Sequence, residues 1–335
     1  MKVIIPVASV GSKFKSKLHS DIPEALVEIA GKPVLKYVID HCLKLNPTEV
    51  ILVVGYKKKL IINYVTKNYP NTNISFAYQK KRNGDASAVK VGLENISDDE
   101  SLLVVFANSL SDFDLSKKIH KGEEADLLVF SSKVTNPKCC GVLEICENGD
   151  ILSIEEKPET PKSNFICSGI YYFKSSLLLK KTIDEIIEKK IAINGKFKIS
   201  QVIENYIQMV DLSVKVANVE VWFDCRGDGR VLEANQYFLE KKSLSEEPRI
   251  HGTSIIIPPS YVASDSIVEN SVIGPYASIG SGATVKDSII KNSIASSNCK
   301  IENIVLESSI IGTRAVLFAE PSKTSIPDKS EVFLR

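Results

Sequence analysis

Apolar residues in the first half of the chain alternate between short continuous runs and stretches with apolar positions three or four residues apart. The runs predict strands at "KVIIPV", "EVILVVG", "NISFAYQ" and "SLLVVFA". The spaced patterns predict helices at "PVLKYVIDHCLKL", "KKKLIINYVTKNY" and "DASAVKVGLENI". Repeated strand–helix units indicate an α/β domain with a mostly parallel, doubly wound sheet. Such sheets bind ligands at the carboxyl ends of their strands, where "VASVG", "YQKKRNG" and "FANSLSD" lie.

After about residue 140 the pattern changes to that of a hairpin. "CGVLEICENGDILSIEEKP" predicts two strands around Asn148-Gly149, and "SGIYYF" a further strand. Helices are predicted near 175–190 and 198–210 and over "GRVLEANQYFLEKK". The polar segment "SLSEEPR" at 243–249 contains Pro248. We place the domain boundary there, which gives a Rossmann-like domain over 1–245 and a second domain over 250–335.

The chain from about 253 onwards has a short repeat and no helical periodicity. Aliphatic residues recur every five or six positions, at Val262, Ile267, Ile273, Ile279 and Val285. One aliphatic residue per short side is typical of a triangular β-solenoid, in which each aliphatic stacks on the next coil. A β-sandwich is the alternative, but the turns come too often for its strands. We expect four or five coils, with the last segment, "LFAEPSKTSIPDKSEVFLR", as a cap.

Composition narrows the class of protein. The 335 residues are 44% hydrophobic and 25% charged, enough for one large core and a smaller second unit. A net charge of +1 argues against general nucleic-acid binding, and no apolar run approaches the ~20 residues of a membrane span. Seven scattered cysteines predict reduced thiols in a cytoplasmic protein, although vicinal Cys139 and Cys140 leave redox chemistry or soft-metal binding open.

Several short motifs follow one another along the chain. They are "ASVGSK" at 8–13, "PE" at 23–24, "GKP" at 31–33, Gln79, "GDASA" at 84–88, "EKP" at 156–158, "SGIYYF", and "WFD" at 222–224 before "LEAN". With a solenoid following them, the chain resembles the sugar-1-phosphate nucleotidyltransferases, or nucleotide-sugar pyrophosphorylases, that carry a C-terminal left-handed β-helix. The resemblance covers nearly the whole chain and implies a nucleotidyltransferase domain followed by a left-handed parallel β-helix.

The resemblance also implies a reaction and a set of site residues. In the family, a sugar-1-phosphate attacks the α-phosphate of a nucleoside triphosphate and pyrophosphate leaves, with two aspartates holding Mg²⁺. The implied nucleotide-binding positions are Ala8, Gly11, Ser12, Gln79 and Gly84. The implied sugar-phosphate-binding positions are Gly141, Glu156 and Lys157. The implied catalytic positions are Lys13 and Glu24, and the metal positions are Asn108 and Asp224.

In the phosphate-binding loop, the chain departs from the family at several positions. Ser9 replaces the loop's first glycine, and Lys13 replaces an arginine, which loses the planar fork that clamps phosphate. Glu24 stands where the family has a phosphate-binding lysine. That swap changes the local charge by two units, each worth about 4 kcal/mol at ~4 Å and an effective dielectric near 20.

The metal positions depart from the family pattern as well. Asn108 replaces a metal-binding aspartate and offers only a neutral oxygen. Asp224 is retained, but Arg226 and Asp228 follow it where the family usually has glycine and proline. The changes therefore fall on the triphosphate and metal side, whereas Gln79, Gly84 and Lys157 remain.

The retained residues also have structural interpretations that need no ligand. Lys157 can be a solvated hairpin lysine, and Gln79 with Gly84 can simply form a turn. Asp224 can cap the helix that begins near Gly229.

Two functions from different classes follow from these substitutions. The first is a regulatory or non-catalytic subunit that binds a nucleotide sugar or sugar phosphate and assembles with itself or with an active paralogue. The second is an active, divergent nucleotidyltransferase in which Glu24 supplies the carboxylate lost at position 108, with Mg²⁺ as its cofactor. The sequence leaves open whether the chain is an enzyme; neither function requires nucleic acid or a membrane.

Overall fold

The computed structural model describes residues 1–9, 22–241, 250–251 and 253–320. The chain divides into two compact units, Met1–Ala234 and Asn235–Arg335. This division falls inside one helix, whereas the boundary expected at 243–249 lies outside the described residues. The domain limits 1–245 and 250–335 therefore stay a prediction.

The first unit alternates strands and helices as the hydrophobic pattern predicts. Its strands are β1 (Lys2–Val7), β2 (Glu28–Ile29), β3 (Lys32–Pro33), β4 (Glu49–Val54), β5 (Ile74–Tyr78), β6 (Leu102–Val105), β7 (Ser109–Ser111), β8 (Leu127–Lys133), β9 (Gly141–Ile145), β10 (Ile151–Glu156), β11 (Phe165–Phe173), β12 (Val214–Asn218) and β13 (Trp222–Asp224). Its helices are α1 (Val34–Leu43), α2 (Lys58–Asn68), α3 (Asp85–Leu93), α4 (Leu115–Lys121), α5 (Ser176–Glu188), α6 (Ile199–Gln208) and the beginning of α7 (Asp228–Lys241).

A large mixed sheet organises this unit. Its strand order is β10-β9-β11-β6-β1-β4-β5, and β8 and β12 extend it beside β11. Strand β1 runs parallel to β4 on one side and to β6 on the other, and β4 runs parallel to β5. Strands β9, β10 and β11 are antiparallel additions. The carboxyl ends of β1, β4, β5 and β6 consequently meet at one edge of the sheet.

Alternating residues of the central strands build two separate cores. In β1, Ile4 packs with α3, α5 and α6, whereas Val3 and Ile5 pack with α1 and α2 on the opposite face. All three side chains are fully buried. Because successive strand side chains point to opposite faces, helices cover the sheet on both sides, as expected for a doubly wound fold.

Strand β8 is an element that the hydrophobic pattern did not reveal. It runs antiparallel to β11 and parallel to β12, near the antiparallel side of the sheet. Its sequence, "LLVFSSK", is buried almost throughout, Ser131 and Ser132 included. A short run that ends in two serines resembles a loop in sequence, but here the pairing with neighbouring strands decides its structure.

The second unit is a parallel β-helix made of three stacked sheets. The first sheet contains β14 (Ile250–His251), β17 (Ile267–Glu269), β20 (Thr284–Lys286), β23 (Lys300–Glu302) and β26 (Val316–Phe318). The second contains β15 (Ile255–Ile256), β18 (Val272–Ile273), β21 (Ile289–Lys291) and β24 (Val305–Glu307). The third contains β16 (Tyr261–Val262), β19 (Ser278–Ile279), β22 (Ile294–Ala295) and β25 (Ile310–Ile311).

One coil of the β-helix is slightly shorter than three six-residue sides. Ile267 lies opposite Thr284, and Thr284 lies opposite Lys300, so that successive coils span 17 and then 16 residues. Five aliphatic residues were expected inside the β-helix, and this prediction is wrong for Ile267. Ile267 is 42% exposed, and its neighbour Val268 is fully buried instead. The reason is the two-residue period of a strand, which sends adjacent side chains to opposite faces.

The second half of α7 packs on the third sheet of the β-helix. The fully buried Asn235 donates its amide hydrogen to the carbonyl of Tyr276 at 3.1 Å. Its amide oxygen accepts from the Ser278 hydroxyl at 2.7 Å. The outward-facing Ile294 and Ile310 of this sheet are buried as well. The cap expected at the end of the chain begins within the last described strand and otherwise lies outside the described residues.

Within the described part of the chain, no helix has the length and apolar character needed to cross a membrane.

Candidate functional site

The loops that follow the parallel strands surround a cleft of about 690 Å³. Ala8 and Ser9 follow β1, Gln79 follows β5, and Asn108 follows β6. Glu24 lines the same cleft from a short 3-10 turn, Glu24–Leu26. The topology thus brings together side chains that lie a hundred residues apart. Of the predicted site, Gly11, Ser12 and Lys13 lie outside the described residues.

The expected base-binding side of the cleft is built on close backbone contact. Gln79 is 4% exposed, and its side-chain amide donates to the carbonyl of Gly84 at 3.2 Å. Gly84 has φ +133, and a Cβ added there would lie 1.9 Å from the carbonyl oxygen of Phe197. Only glycine fits both the backbone angle and the contact. Gln79 and Gly84 therefore form a rigid wall of the cleft.

The hairpin of β9 and β10 carries the expected sugar-phosphate side. Gly141, Glu156 and Lys157 line a smaller recess of about 70 Å³ that shares residues with the main cleft. Lys157 has a left-handed backbone, φ 53, and its N–H donates to the carbonyl of Cys140 at 3.0 Å. Its exposed ammonium group forms no ion pair within the described residues. Lys157 is thus available to an anionic ligand.

Lys198 is a residue of this recess that the sequence patterns did not single out. Its ammonium lies 3.1 Å from an oxygen of Asp85 and 3.8 Å from Glu156. The other oxygen of Asp85 accepts from the backbone N–H of Ile199 at 2.7 Å. Asp85 therefore ties the start of α3 to the start of α6. Nothing in the sequence pattern reveals this pairing, because positions 85 and 198 are distant in the chain.

The expected metal side is closed by an ion pair. The guanidinium of Arg226 donates to both oxygens of Asp224, from Nε at 2.6 Å and from Nη2 at 2.5 Å. The amide of Asn108 donates to the first of these oxygens at 2.9 Å. A two-pronged pair of this kind is among the strongest charge-assisted contacts in proteins. Asp224 lies four residues before the start of α7, and these contacts give its carboxylate a role that does not involve the helix.

Burial and the charge of Asp224 act in opposite directions on the pKa of Arg226. Burial lowers the pKa of Arg226, but the hydrogen bonds and charge of Asp224 outweigh it and raise that pKa above its ordinary value. The nearby Glu24 carboxylate acts in the same direction. The Asp224 side chain is only 15% exposed. Arg226 is therefore the resident cation between Asp224 and Glu24.

The Mg²⁺ ion that the resemblance implies does not fit this arrangement. Both Asp224 oxygens are engaged by Arg226, and Asn108 turns its N–H₂ rather than its oxygen toward the carboxylate. A carboxylate accepts only, so the amide nitrogen must face it. Within the described residues, no cluster of three histidine, cysteine or acidic side chains is placed to hold a metal. No catalytic step through a metal follows from this geometry.

The cysteines do not form a redox pair in this structure. None of the seven cysteines forms a disulfide, and Cys139, Cys140 and Cys167 line the smaller recess. Burial raises the pKa of the Cys42 thiol to about 12 and also raises that of Cys167. Thiols with raised pKa values stay protonated and weakly reactive at neutral pH.

Comparison with known proteins identifies the family. The family model described as "Nucleotidyl transferase" matches residues 11–240. The chain belongs to the sugar-1-phosphate nucleotidyltransferase family. The family match includes every strand of the sheet except β1, and all the helices almost to the end of α7. Ala8 and Ser9, which line the cleft after β1, precede the matched residues.

Individual nucleotidyltransferases with similar sequences come from archaea and bacteria. The bifunctional protein GlmU of Methanocaldococcus jannaschii is 31% identical over 76% of this chain, which spans 59% of that protein. The glucose-1-phosphate thymidylyltransferase of Streptomyces antibioticus is 26% identical over 93% of this chain and 87% of its own length. The crystal structure of HddC from Yersinia pseudotuberculosis matches with TM-score 0.55 and 22% identity over 71% of this chain and 99% of its own. That structural likeness supports the fold alone.

Proposed function

We propose that this nucleotidyltransferase homologue binds a nucleotide sugar or sugar phosphate without a metal and does not catalyse efficient nucleotidyl transfer. The observation that carries the proposal is the closed contact among Asp224, Arg226 and Asn108. This contact engages the carboxylate of Asp224, which the resemblance assigns to Mg²⁺ binding. A triphosphate needs that cation most, because its charge is the largest.

The charge balance of the cleft supports retained anion binding. Six cationic side chains but only two carboxylates line it among the described residues. The cations are Lys80, Arg82, Lys157, Lys196, Lys198 and Arg226, and the carboxylates are Glu24 and Asp85. A cleft with such an excess attracts anions over several ångströms and focuses their approach. Binding of a phosphorylated ligand thus does not depend on the lost metal.

Glu24 has a different place in this proposal from the one that an active enzyme would require. It lines a narrow recess of about 30 Å³ together with Ser9 and Asn108, a space that suits one water molecule. Its charge already faces Arg226. For Glu24 to become a metal ligand, the Arg226 side chain would have to leave Asp224.

Two assays on the purified full-length chain test the proposal. The first measures pyrophosphate release with Mg²⁺, the four common nucleoside triphosphates and a panel of sugar-1-phosphates. The second measures binding of nucleotide sugars by calorimetry with Mg²⁺ and again with EDTA. We expect no turnover above background and equal affinity in both buffers. Robust turnover that is abolished by Glu24→Ala but kept by Glu159→Ala, an exposed carboxylate outside the cleft, would instead establish the active enzyme.

A gain-of-function pair makes the same test from the other direction. Arg226→Gly with Asn108→Asp removes the resident cation and supplies a second carboxylate beside Asp224. We expect this double variant to acquire magnesium-triphosphate binding that the parent lacks. Arg230→Gly is the matched control, because Arg230 is half exposed and contacts only Glu233 within the described chain.

Assembly with a second copy of the chain is also part of the proposal. An outward column of aliphatics, Ile255, Val272, Ile289 and Val305, runs across the second sheet of the β-helix. Val305 is 70% exposed. Lys291 and Glu307 pair beside the column at 3.0 Å, so this face carries both signs of charge and can meet a two-fold-related copy.

Light scattering of full-length variants tests this assembly. Ile289→Lys should reduce the mass per particle, and Thr284→Lys, an outward position on the first sheet, should not. An unchanged mass in Ile289→Lys, or a parent that is already monomeric, would overturn the self-assembly. A parent that is monomeric alone but dimeric with an active family member would assign the partner to a paralogue.

A further inference from the structure

Three cationic side chains at the base end of the cleft add to its positive charge, but no group of a nucleotide sugar has yet been assigned to them. Lys80 and Arg82 lie in the loop between Gln79 and Gly84, and Lys196 lies just before Phe197. All three are exposed, and none of their charged groups forms an ion pair or hydrogen bond with the described residues.

The backbone brings two of these cations to the same place. The N–H of Phe197 donates to the carbonyl of Asn83 at 2.7 Å, and the N–H of Ala86 donates to the carbonyl of Phe197 at 3.2 Å. Arg82 and Lys196 each directly precede one partner of the first hydrogen bond. The close contact at Gly84 holds these two segments together. The cluster is thus positioned by rigid backbone, although its side chains reach into solvent.

Two other cations of the cleft are already paired with carboxylates. Lys198 pairs with Asp85, and Arg226 pairs with Asp224. Lys157 is open, but it lies on the hairpin side with the recess expected to take the sugar phosphate. The excess positive charge therefore has two centres, one at Lys157 and one at Lys80, Arg82 and Lys196.

A nucleotide sugar supplies anionic groups for only one of these centres. Its base is neutral, and its phosphates lie between the ribose and the sugar. The cations at 80 and 82 lie within two residues of Gln79 and Gly84, the proposed walls of the base site. An anionic group that meets them must be attached close to the base, which means on the ribose.

From this arrangement we infer that the cleft prefers a nucleotide with a phosphoryl group on the ribose 2′ or 3′ oxygen in addition to its 5′ phosphate. The inference rests on the proposed function, because it assumes that a nucleotide occupies the cleft with its base at Gln79. The ribose phosphate would accept hydrogen bonds from Arg82 and Lys196, and arginine suits phosphate because its planar fork donates two parallel hydrogen bonds.

Calorimetry with isomeric ligands provides the test. For each of the four bases, the 3′,5′-bisphosphate and the 2′,5′-bisphosphate are compared with the 5′-diphosphate, which has the same number of phosphates. We expect one bisphosphate to bind about tenfold more tightly than the 5′-diphosphate of the same base, as one or two added charge contacts provide. The isomer that binds more tightly identifies the ribose position.

Matched triple variants connect the preference to the cluster. Lys80→Ala, Arg82→Ala and Lys196→Ala together should abolish the preference, so that the bisphosphate and the 5′-diphosphate of the same base bind with equal affinity. Lys59→Ala, Lys121→Ala and Arg314→Ala remove the same charge from exposed positions outside the cleft and should keep the preference. Equal melting temperatures of the two triple variants would show that both are folded.

The outcomes separate this inference from the proposed function. Nucleotide sugars that bind while the bisphosphates show no preference, or a preference that survives the cleft triple variant, would overturn the inference alone. Failure of every nucleotide and nucleotide sugar to bind would overturn both.

Discussion

The cleft has one region in which charged side chains are paired and other regions in which cationic side chains are unpaired. On the metal side, Arg226 pairs with Asp224, and Glu24 lies close enough to reinforce the charge of Arg226. Elsewhere in the cleft, Lys157 and the cluster of Lys80, Arg82 and Lys196 are exposed and form no ion pair with the described residues. These regions line one cavity on the same sheet edge.

This difference separates two properties that catalysis normally combines. Attraction of an anion requires only unpaired positive charge, whereas phosphoryl transfer also requires a cation placed at the reacting phosphate. In the proposed function, the cleft keeps the first property, and the guanidinium of Arg226 takes the place of the second. Four experiments test this difference between paired and unpaired charges. They are given in order of decreasing expected effect.

Gly84→Ala should have the largest effect, because it acts on the backbone that holds the open side together. The new Cβ would lie 1.9 Å from the Phe197 carbonyl oxygen at φ +133. We expect a loss of about 3 kcal/mol in the free energy of unfolding, measured by urea denaturation. Gly229→Ala, where no atom lies within 4 Å, should cost almost nothing. Similar stability of the two variants would show that the Gly84 wall is not rigid.

A double-mutant cycle on Asp224 and Arg226 should reveal strong coupling on the closed side. The exposed fractions of the two side chains are 15% and 33%. Asp224→Asn or Arg226→Gln alone should cost about 2 kcal/mol, because each leaves a partly buried charge unpaired. The double variant should cost clearly less than the sum of the two. A parallel cycle on the exposed pair Arg230 and Glu233 should show coupling near zero.

Lys157→Ala should weaken the binding of a sugar phosphate about tenfold, since it removes a charge-assisted contact. Stability should not change, because Lys157 is exposed and unpaired within the described chain. Calorimetry measures the affinity and thermal denaturation the stability. The control is Lys162→Ala, an exposed lysine that does not line the cleft. Equal affinity in both variants would mean that Lys157 is only a solvated hairpin lysine.

Lys198→Met, in contrast to Lys157→Ala, should lower stability and leave ligand affinity almost unchanged. Because Lys198 already pairs with Asp85 and Glu156, its loss should change ligand affinity by less than about threefold. It should lower the free energy of unfolding by about 1 kcal/mol, because two part-buried carboxylates lose their partner. A drop in affinity as large as that of Lys157→Ala would contradict the division into paired and open cations.

Much of the fold could be read from local patterns. Strands β1, β4, β5 and β6 and helices α1, α2 and α3 lie where the apolar runs and spacings predict them. The Asn148-Gly149 hairpin is confirmed with φ 84 at Gly149. Strand β8 and the inward position Val268 were not predicted correctly. Both depend on which neighbouring strand is paired and in which register, and neither is encoded within the segment itself.

For the site, the family, the residue types and the sign of each charge could be predicted from the sequence alone. The resemblance implies that Glu24 and Asn108 stand where the family has a lysine and an aspartate, and that Asp224 and Lys157 match the family pattern. Which cations are paired with carboxylates follows only from the three-dimensional structure. Whether a cation is open or neutralised depends on side-chain distances of about 3 Å between residues brought together by the sheet, and charge interactions fall off with distance. Lys198 and Lys196 are two residues apart in the chain, yet one is paired with Asp85 and the other has no ion-pair partner within the described residues.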